Sequence, residues 1–245
     1  MIKQNCRVTE NTEIAPKFFR MVLECEKVSI KAGQFINITV DGFYLRRPIS
    51  ICDFDDRTIT IIYKIMGEGT AMLAKTPSGA YLDCLIGLGN GFDTSVKCET
   101  PLIIGGGVGA PPLFALAKKL AADGKKPKVL LGFNTSQEAI LVKEFESRNI
   151  PVVLATLDGT AGHKGFVTEL IESGYDYFYA CGPLPMLKAV YNNTETDGQL
   201  SLEERMGCGF GACMGCSIMT KGGAKRVCKE GPVFYKEELL WQTQE

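Results

Sequence analysis

Four cysteines near the end of the 245-residue chain have the spacing of an iron–sulfur site. Cys208, Cys213, Cys216 and Cys228 form the pattern C-x4-C-x2-C-x11-C. A plant-type [2Fe–2S] site begins C-x4-C-x2-C and takes its fourth thiolate from further along the chain. Mostly small residues separate the first three cysteines, so the loop can wrap around a cluster and direct N–H groups at its sulfur atoms. We therefore predict that these cysteines bind one [2Fe–2S] cluster.

A structural zinc ion is the alternative chemistry for these thiols. Structural zinc sites usually contain two C-x2-C pairs, and only Cys213 and Cys216 form such a pair here. With zinc bound, the chain would be a zinc-stapled, nucleotide-binding regulator, and the purified protein would be colourless. The single histidine, His163, excludes mechanisms that need two histidines, such as the HExxH zinc site.

A glycine turn in the middle of the chain could bind a pyrophosphate. The segment "IIGGGVGAPP" matches G-x-G-x-x-A through Gly105, Gly107 and Ala110, with Gly109 inside the same turn. A predicted strand precedes it and a predicted helix follows, so the backbone could approach a pyrophosphate at a helix N-terminus. The alternative is a tight strand-to-helix turn without a ligand. The usual ribose-binding acid is missing after the next strand, where no acid occurs before Glu138.

Three stretches of different pattern would position these groups. Residues 1–99 contain β-rich runs such as "FFRMVLEC", "QFINITV", "ISICDF" and "TITIIYKI" between turn signals, typical of an antiparallel barrel or sandwich, with one short helix at "GTAMLAKT". Residues 100–200 alternate strands with helices, which predicts a doubly wound parallel α/β sheet. Its predicted helices include "APPLFALAKKLAADG", "AILVKEFESRN", "GFVTELIES" and "PMLKAVYNN". Residues 201–245 form a small cysteine-loop subdomain.

Composition limits the partners and the compartment. The net charge is −1, with acids and bases interspersed, which argues against nucleic acid or an anionic membrane as a partner. No apolar run approaches the roughly 20 residues that span a membrane, and the N-terminus becomes polar at once. We expect a cytoplasmic protein, in which clustered cysteines bind metal instead of forming disulfides. Five scattered cysteines are expected to be small buried hydrophobes: Cys6, Cys25, Cys52, Cys84 and Cys98.

The order of the modules resembles the ferredoxin-NADP reductase superfamily over residues 1 to about 195. The resemblance rests on "RRPISI", "GEGTAML", the glycine turn and "CGP" at the end of a later strand. It implies an FAD-binding barrel followed by an NAD-binding domain. The implied FAD contacts are Arg47, Pro48, Ile49 and Ser50, then Lys64, Ile65 and Met66, then Gly69 and Thr70. The implied nicotinamide contacts are Cys181, Gly182 and Pro183, with Cys181 shaping the pocket and not acting as a nucleophile.

The cysteine tail, "GLGNGF" and "RRPISI" together resemble the electron-transfer subunits of dihydroorotate dehydrogenase B over nearly the whole chain. This resemblance implies FAD, NAD and one [2Fe–2S] cluster, and an FMN-containing catalytic subunit as partner in a heterotetramer of two copies of each. Electrons would pass from that FMN through the cluster and FAD to NAD⁺, in pyrimidine (UMP) biosynthesis. The chain itself would need no catalytic acid or base. Glu203, Glu204 and Arg205 in "SLEERM" are expected to position the cluster segment.

Two details of this hypothesis stay open in the sequence. The stretch after the second strand of the α/β part, "NTSQEAILVKE", has no arginine for a 2′-phosphate and its first charge is acidic, which favours NAD over NADP. The partner could instead be a hydrogenase, a glutamate synthase or free ferredoxin, with the chain as an NAD(P)H-dependent reductase module. The tail and "LGNGF" at 88–92 are candidate contacts to a partner.

Overall fold

The computed structural model describes residues 1–26 and 29–241, and its N-terminal strands close into an antiparallel barrel. The strands are β1 (Ile2–Ala15), β2 (Phe18–Glu24), β3 (Phe35–Ile38), β4 (Arg47–Phe54), β5 (Thr58–Lys64) and β6 (Tyr81–Leu88). Around the barrel their order is β1-β2-β5-β4-β3-β6. Alternate residues face the interior, as Met21 and Leu23 of β2 do, and both are fully buried. Closure leaves this sheet without a free edge.

One helix, α1 (Glu68–Ala74), crosses from β5 to β6 where a helix was predicted. Its C-terminal end is tied to the barrel by Asn11, whose Nδ2 donates to the carbonyl oxygens of Leu73, Ala74 and Thr76. The Tyr63 hydroxyl in turn donates to Asn11 Oδ1 at 3.0 Å. These bonds fix the C-terminal end of α1 relative to β1 and β5.

A second, mostly parallel sheet follows. Its elements and those of the tail are β7 (Pro101–Gly106), α2 (Pro111–Ala122), β8 (Lys128–Phe133), α3 (Val142–Glu146), β9 (Val152–Thr156), β10 (His163–Lys164), β11 (Tyr177–Cys181), α4 (Leu184–Asn193), β12 (Gly198–Ser201), β13 (Ser217–Thr220), β14 (Gly223–Arg226) and β15 (Val233–Tyr235). The order in the sheet is β10-β9-β8-β7-β11-β12-β15, and only β15 runs antiparallel to its neighbour. The predicted fold class, a β-barrel followed by a doubly wound α/β domain, is confirmed.

Helix lengths differ from the prediction in two places. The run "GFVTELIES" forms only a 3₁₀ turn at Val167–Leu170, because Val167 must pack directly over Gly132, where any Cβ would come within 2.8 Å of it. The run "AILVKEFESRN" gives only the short α3, because Leu141 takes a left-handed conformation with φ 68° just before it. Two predicted helices are confirmed at nearly full length, α2 and α4.

The sheet separates two apolar cores. On one face α2 packs against both the sheet and the barrel, so that Leu113 and Phe114 share a core with Phe18 and Ile62. On the other face α4 shares a core with residues of the tail. The ion pair between Lys118 Nζ of α2 and Asp53 Oδ1 of β4, 2.6 Å, also joins the barrel to the sheet.

The predicted domain limits fall close to structural features without coinciding with them. The limit at residue 99 lies in the connection from β6 to β7, whereas the limit at residue 200 lies inside β12. The tail also returns β15 to the sheet beside β12, so it is not spatially separate. The last part of the predicted 201–245 subdomain, residues 242–245, lies outside the described residues. No helix in the described part of the chain is long and apolar enough to cross a membrane.

Candidate functional site

A cavity of about 260 Å³ lies where the barrel, the parallel sheet and the tail meet. Six of the nine residues predicted to contact FAD line it: Pro48, Ile49, Ser50, Lys64, Met66 and Thr70. The sheet contributes Val108 and Cys181, and the tail contributes residues 201–204, Met206 and Pro232. The cavity therefore combines a mainly apolar floor with several polar groups, as a flavin ring requires.

Arg47, at the start of β4, lies beside this cavity against the first turn of α1. A Cβ at Gly69 would overlap Arg47 Nε, so only glycine lets the guanidinium lie there. Arg47 Nη1 donates to the Leu45 carbonyl at 2.6 Å, and the guanidinium stacks on the Phe43 ring at 4.6 Å. The cation is thus oriented before any ligand binds, which fits a diphosphate.

The loop before α1 is shaped by Thr70. Its Oγ1 accepts the N–H groups of Met66 at 2.9 Å and Gly67 at 3.3 Å. Ile65 is turned away from the cavity lining, and its N–H donates to the Lys17 carbonyl at 2.8 Å. Of the predicted FAD residues, Ile65, Arg47 and Gly69 therefore lie beside the cavity and not in its lining.

Lys64 is engaged with a second residue across the domain boundary. Its Nζ lies 2.6 Å from Oε1 of Glu138, and Glu138 also accepts a bond of 2.9 Å from Asn134. Burial is the largest single influence on the pKa of Glu138 and would raise it, but the hydrogen bonds from Lys64 and Asn134 and the charge of Lys64 together lower the net pKa. The first acid after the second strand of the sheet thus binds a lysine of the flavin cavity, a pairing that sequence spacing could not reveal.

The residues predicted to bind NAD come together at one edge of the parallel sheet. Gly105 and Cys181 are register partners at the ends of β7 and β11. Gly107 and Gly109 form the following 3₁₀ turn, Ala110 caps α2, and Gly182 and Pro183 lead into α4. A Cβ at Gly109 would overlap the Cys181 carbonyl, so the close approach of the two turns requires glycine. The C-terminal edge of parallel strands is the usual place for such a ligand.

Cys181 lines the cavity from the sheet side and is only 2% exposed. Burial raises the pKa of its thiol to about 12, with a smaller contribution from the charge of Glu203. The thiol therefore stays protonated at neutral pH and cannot serve as a thiolate nucleophile. Its geometry agrees with a role in shaping the pocket.

Glu203 was predicted to position the cluster segment, but the structure places it at the cavity. Glu203 and Glu204 both line the cavity, whereas Arg205 is exposed and is not part of the lining. Although solvent reaches Glu203 through the cavity, the surrounding atoms desolvate its carboxyl group and raise its pKa. Sequence reasoning missed this location because "SLEERM" leads into the cysteine loop and only the register of β12 turns it towards the flavin side.

Replacing Glu203 should reveal this desolvation as a pH effect. Since the pKa of Glu203 is raised in the folded state, folding binds protons and stability falls as pH rises above about 4. Glu203→Gln is neutral at every pH, so we expect a higher unfolding temperature at pH 7 and little gain near pH 4 in FAD-depleted protein. Glu172→Gln is the control, because that side chain is 76% exposed. Equal gains at both pH values would contradict the desolvation.

The four cysteines of the tail form two pairs. In the first pair, the Cys208 N–H points at Cys213 Sγ, 3.5 Å away, and the Cys213 N–H points at Cys208 Sγ, 3.4 Å away. In the second pair, the Cys228 N–H lies 3.4 Å from Cys216 Sγ. The β13–β14 hairpin explains the second pair, because it folds the long gap between Cys216 and Cys228 back on itself.

The pairing distinguishes two iron atoms from one zinc ion. In the described part of the chain, no three His, Cys, Asp or Glu side chains converge closely enough for a single metal ion. A structural zinc ion needs four ligands around one point, whereas a [2Fe–2S] cluster takes two cysteines on each iron. Two thiol pairs on one loop and hairpin match the two cysteines that each iron of such a cluster takes.

Backbone donors around the sulfur atoms support the same ligand. Burial alone would raise the pKa of Cys208, but N–H groups of Cys213, Phe210 and Ala212 outweigh it and lower the pKa to about 6. Arg226 adds a positive charge close by, with Nη1 donating to the Gly211 carbonyl at 2.6 Å. Anionic sulfur in a cluster would be stabilised by both features.

The two cysteine pairs differ in exposure. Cys213 is exposed, while Cys216 and Cys228 are each 2% exposed. The buried pair belongs to the same apolar core as Phe35 and Leu202, and both of these residues line the flavin cavity. One side of the cysteine site thus faces solvent, and the other is buried in an apolar core that also contributes residues to the cavity lining.

Comparisons with known proteins agree with this geometry. A family model described as "Iron-sulfur cluster binding domain of dihydroorotate dehydrogenase B" matches residues 203–240. A protein of Fusobacterium nucleatum named "Dihydroorotate dehydrogenase B (NAD(+)), electron transfer subunit" is 41% identical over 96% of this chain and 98% of its own length. A protein of the same name from Streptococcus mutans is 42% identical over 98% of this chain and 99% of its own.

Solved structures share the fold. The structure of an NADH-dependent reduced ferredoxin-NADP oxidoreductase, studied for flavin-based electron bifurcation, matches with a TM-score of 0.87 and 27% identity over 96% of this chain and 90% of that one. Phthalate dioxygenase reductase matches with a TM-score of 0.71 and 16% identity over 89% of this chain and 87% of that one, which shows the fold alone.

Proposed function

This chain belongs to the family of electron transfer subunits of NAD⁺-dependent dihydroorotate dehydrogenase B, and from this we propose that it carries electrons from a dihydroorotate-oxidising subunit to NAD⁺. Bound FAD would supply the chemistry at the junction, because a flavin exchanges electron pairs with nicotinamide and single electrons with an iron–sulfur cluster. The process would belong to pyrimidine (UMP) biosynthesis. The observation that carries the proposal is the single apolar core that contains the Cys216–Cys228 pair and two residues of the flavin cavity, Phe35 and Leu202.

We assign the chain's residues to three binding tasks. Arg47, oriented over Gly69, would bind the FAD diphosphate, and Ser50 and Ile49 would contact the ring from β4. The turn at 105–110 and the segment 181–183 would bind NAD where β7 and β11 end. Buried, protonated Cys181 and Val108 would keep water from the space between flavin and nicotinamide. The two cysteine pairs would bind the [2Fe–2S] cluster.

The partner would dock where the cysteine site is exposed. Two exposed apolar side chains lie near Cys213 in the same loop, Phe210 and Met214, which are 44% and 51% exposed. We propose that an FMN-containing catalytic subunit covers this face, in a heterotetramer of two copies of each chain. "LGNGF" at 88–92 stays a proposed partner contact, because its exposed Asn90 is bound to the chain's own segment 230–233, which follows the last cysteine.

Two finer points remain proposals. We propose NAD over NADP because the stretch after β8, residues 134–144, contains no arginine to bind a 2′-phosphate. A cytoplasmic location is supported by the cysteines, since all ten lie in the described residues and none forms a disulfide.

Separating the subunits should separate the activities. The purified chain should contain flavin and iron, and should oxidise NADH with an artificial dye. It should not oxidise dihydroorotate until the FMN-containing subunit is added, because the proposal places the binding of dihydroorotate on that subunit. Turnover of dihydroorotate by the pure chain, or a colourless protein with stoichiometric zinc, would overturn the proposed function.

A further inference from the structure

We propose that two asparagines of the barrel, Asn37 and Asn90, hold the cysteine segment at its two ends and so set the distance between the flavin site and the cluster site. This inference rests on the proposed function and adds positioning residues to it. Neither residue was among the predicted site residues, and neither lines the cavity.

Asn90, in the loop after β6, is bound to the tail through four hydrogen bonds. Its Nδ2 donates to the carbonyls of Glu230 at 2.8 Å and Val233 at 2.9 Å. Its Oδ1 accepts the Val233 N–H at 3.2 Å, and its own N–H donates to the Gly231 carbonyl at 2.8 Å. All four partners are backbone groups, so these bonds fix the path of the chain.

The segment that Asn90 holds connects the two redox sites. Residue 230 follows the last cluster ligand, Cys228, by two positions, and Pro232 lines the flavin cavity. The approach is close: a Cβ at Gly89, whose φ is +72°, would lie 2.5 Å from Pro232 Cδ. A displacement of this segment would therefore move the buried cysteine pair relative to the cavity.

Asn37, on β3, holds the other end of the cysteine segment. Its Nδ2 donates to the Cys208 carbonyl at 3.2 Å, and the side chain is 1% exposed. A Cβ at Gly209, whose φ is +77°, would overlap this Nδ2, so the loop lies directly on the asparagine. The register partner of Asn37 on β4 is Pro48, which lines the flavin cavity. The first cluster ligand is thus connected to the flavin site through one strand pair.

The buried Oδ1 of Asn37 has no hydrogen-bond partner among the described residues, which indicates that this residue has a role beyond packing. Such a buried acceptor costs free energy that an apolar side chain of similar size would avoid. The favourable contact of this amide is its bond to the first ligand of the cysteine loop.

The cysteine loop needs such anchors because its glycine-rich backbone is conformationally free. Gly207, Gly209, Gly211 and Gly215 interrupt it, and glycine leaves the backbone many conformations. Electron transfer between two carriers slows steeply as they separate. Without these anchors the loop would sample a wider range of flavin-to-cluster distances, and the average rate of electron transfer would fall.

Asn90→Ala tests the inference, because Asn90 is solvent-exposed and its loss leaves the apolar core intact. The experiment mixes NADH with the complete complex and follows flavin and cluster absorbance separately. We expect the flavin phase to keep the rate of the parent protein and the cluster phase to become slower, because the displaced segment changes the flavin-to-cluster distance. Hydrogen exchange at the backbone amides of residues 229–233 should become faster in the same variant.

Two further variants make the outcome decisive. Asn90→Gln keeps the amide donors and acceptor on a side chain one methylene longer, so we expect a smaller decrease, and this variant decides the matter if Asn90→Ala loses its cluster. Asp176→Ala is the matched control, because Asp176 binds the N–H groups of Glu99 and Thr100 at the opposite end of β11.

The result separates this inference from the proposed function. If the cluster is reduced at the same rate in the parent protein and in both Asn90 variants, with full FAD and iron content, the anchoring role alone is overturned. Equal slowing of the flavin and cluster phases would overturn it as well, because it would indicate general disruption. A parent protein without flavin or iron would instead contradict the proposed function.

Discussion

Cys213→Ala should abolish electron transfer from dihydroorotate to NAD⁺ in the complete complex, while reduction of FAD by NADH continues at the parent rate. Cys213 is the exposed member of the first cysteine pair, and its loss leaves one iron with a single protein thiolate. The flavin cavity contains no residue of that pair, so NADH chemistry at the flavin does not depend on it. The measurements are iron content, dihydroorotate-dependent NAD⁺ reduction and NADH-dependent flavin bleaching.

Cys98→Ala is the matched control for this variant. Cys98 lies in the connection from the barrel to the sheet and belongs to neither cysteine pair, so iron content and both activities should persist. If Cys213→Ala still coupled dihydroorotate to NAD⁺, electrons would have to enter the chain by a route that avoids the cysteine site. That result would remove the cluster from the proposed path.

Arg47→Ala should weaken FAD binding by about ten- to a hundredfold. Hydrogen bonds to a charged group contribute about 1.5–3 kcal/mol, and each 1.4 kcal/mol is a factor of ten in affinity. Arg47 is the side chain that the structure orients over the first turn of α1, and its guanidinium is already fixed by Leu45 and Phe43. FAD titration of the flavin-free protein, followed by flavin fluorescence, gives the affinity.

The adjacent arginine provides a control for charge and size. Arg46 is paired with Asp83 at 2.9 Å on the other side of the strand, so Arg46→Ala should lower the unfolding temperature without weakening FAD binding. Gly69→Ala should weaken FAD binding as Arg47→Ala does, because its Cβ would displace the guanidinium. Unchanged FAD affinity in both Arg47→Ala and Gly69→Ala would rule out this arginine as the diphosphate site.

Much of the fold could be predicted because it depends on local patterns. Alternating apolar residues in "TITIIYKI" and proline at the start of α2 each specify an element within a few residues of sequence. One prediction of this kind was wrong, at "GFVTELIES", and the helix predicted at "AILVKEFESRN" is confirmed but shorter. There a tertiary contact, Val167 over Gly132, and a left-handed residue, Leu141, prevailed over local helical preference. The polar strand β1 had no apolar alternation strong enough to reveal it.

The sequence by itself determined the set of ligands, because spacing within a short loop limits what the loop can bind. The C-x4-C-x2-C-x11-C run, the glycine turn and "RRPIS" each lie within a short segment. Each motif can therefore be identified from the sequence without knowledge of tertiary contacts. Tertiary structure alone decided how these sites are related. Asn90 meets Val233 across 143 positions, and Lys64 meets Glu138 across 74. Such pairs carry no signal in local spacing, since only the packing of the barrel against the parallel sheet and the return of β15 to that sheet bring them together.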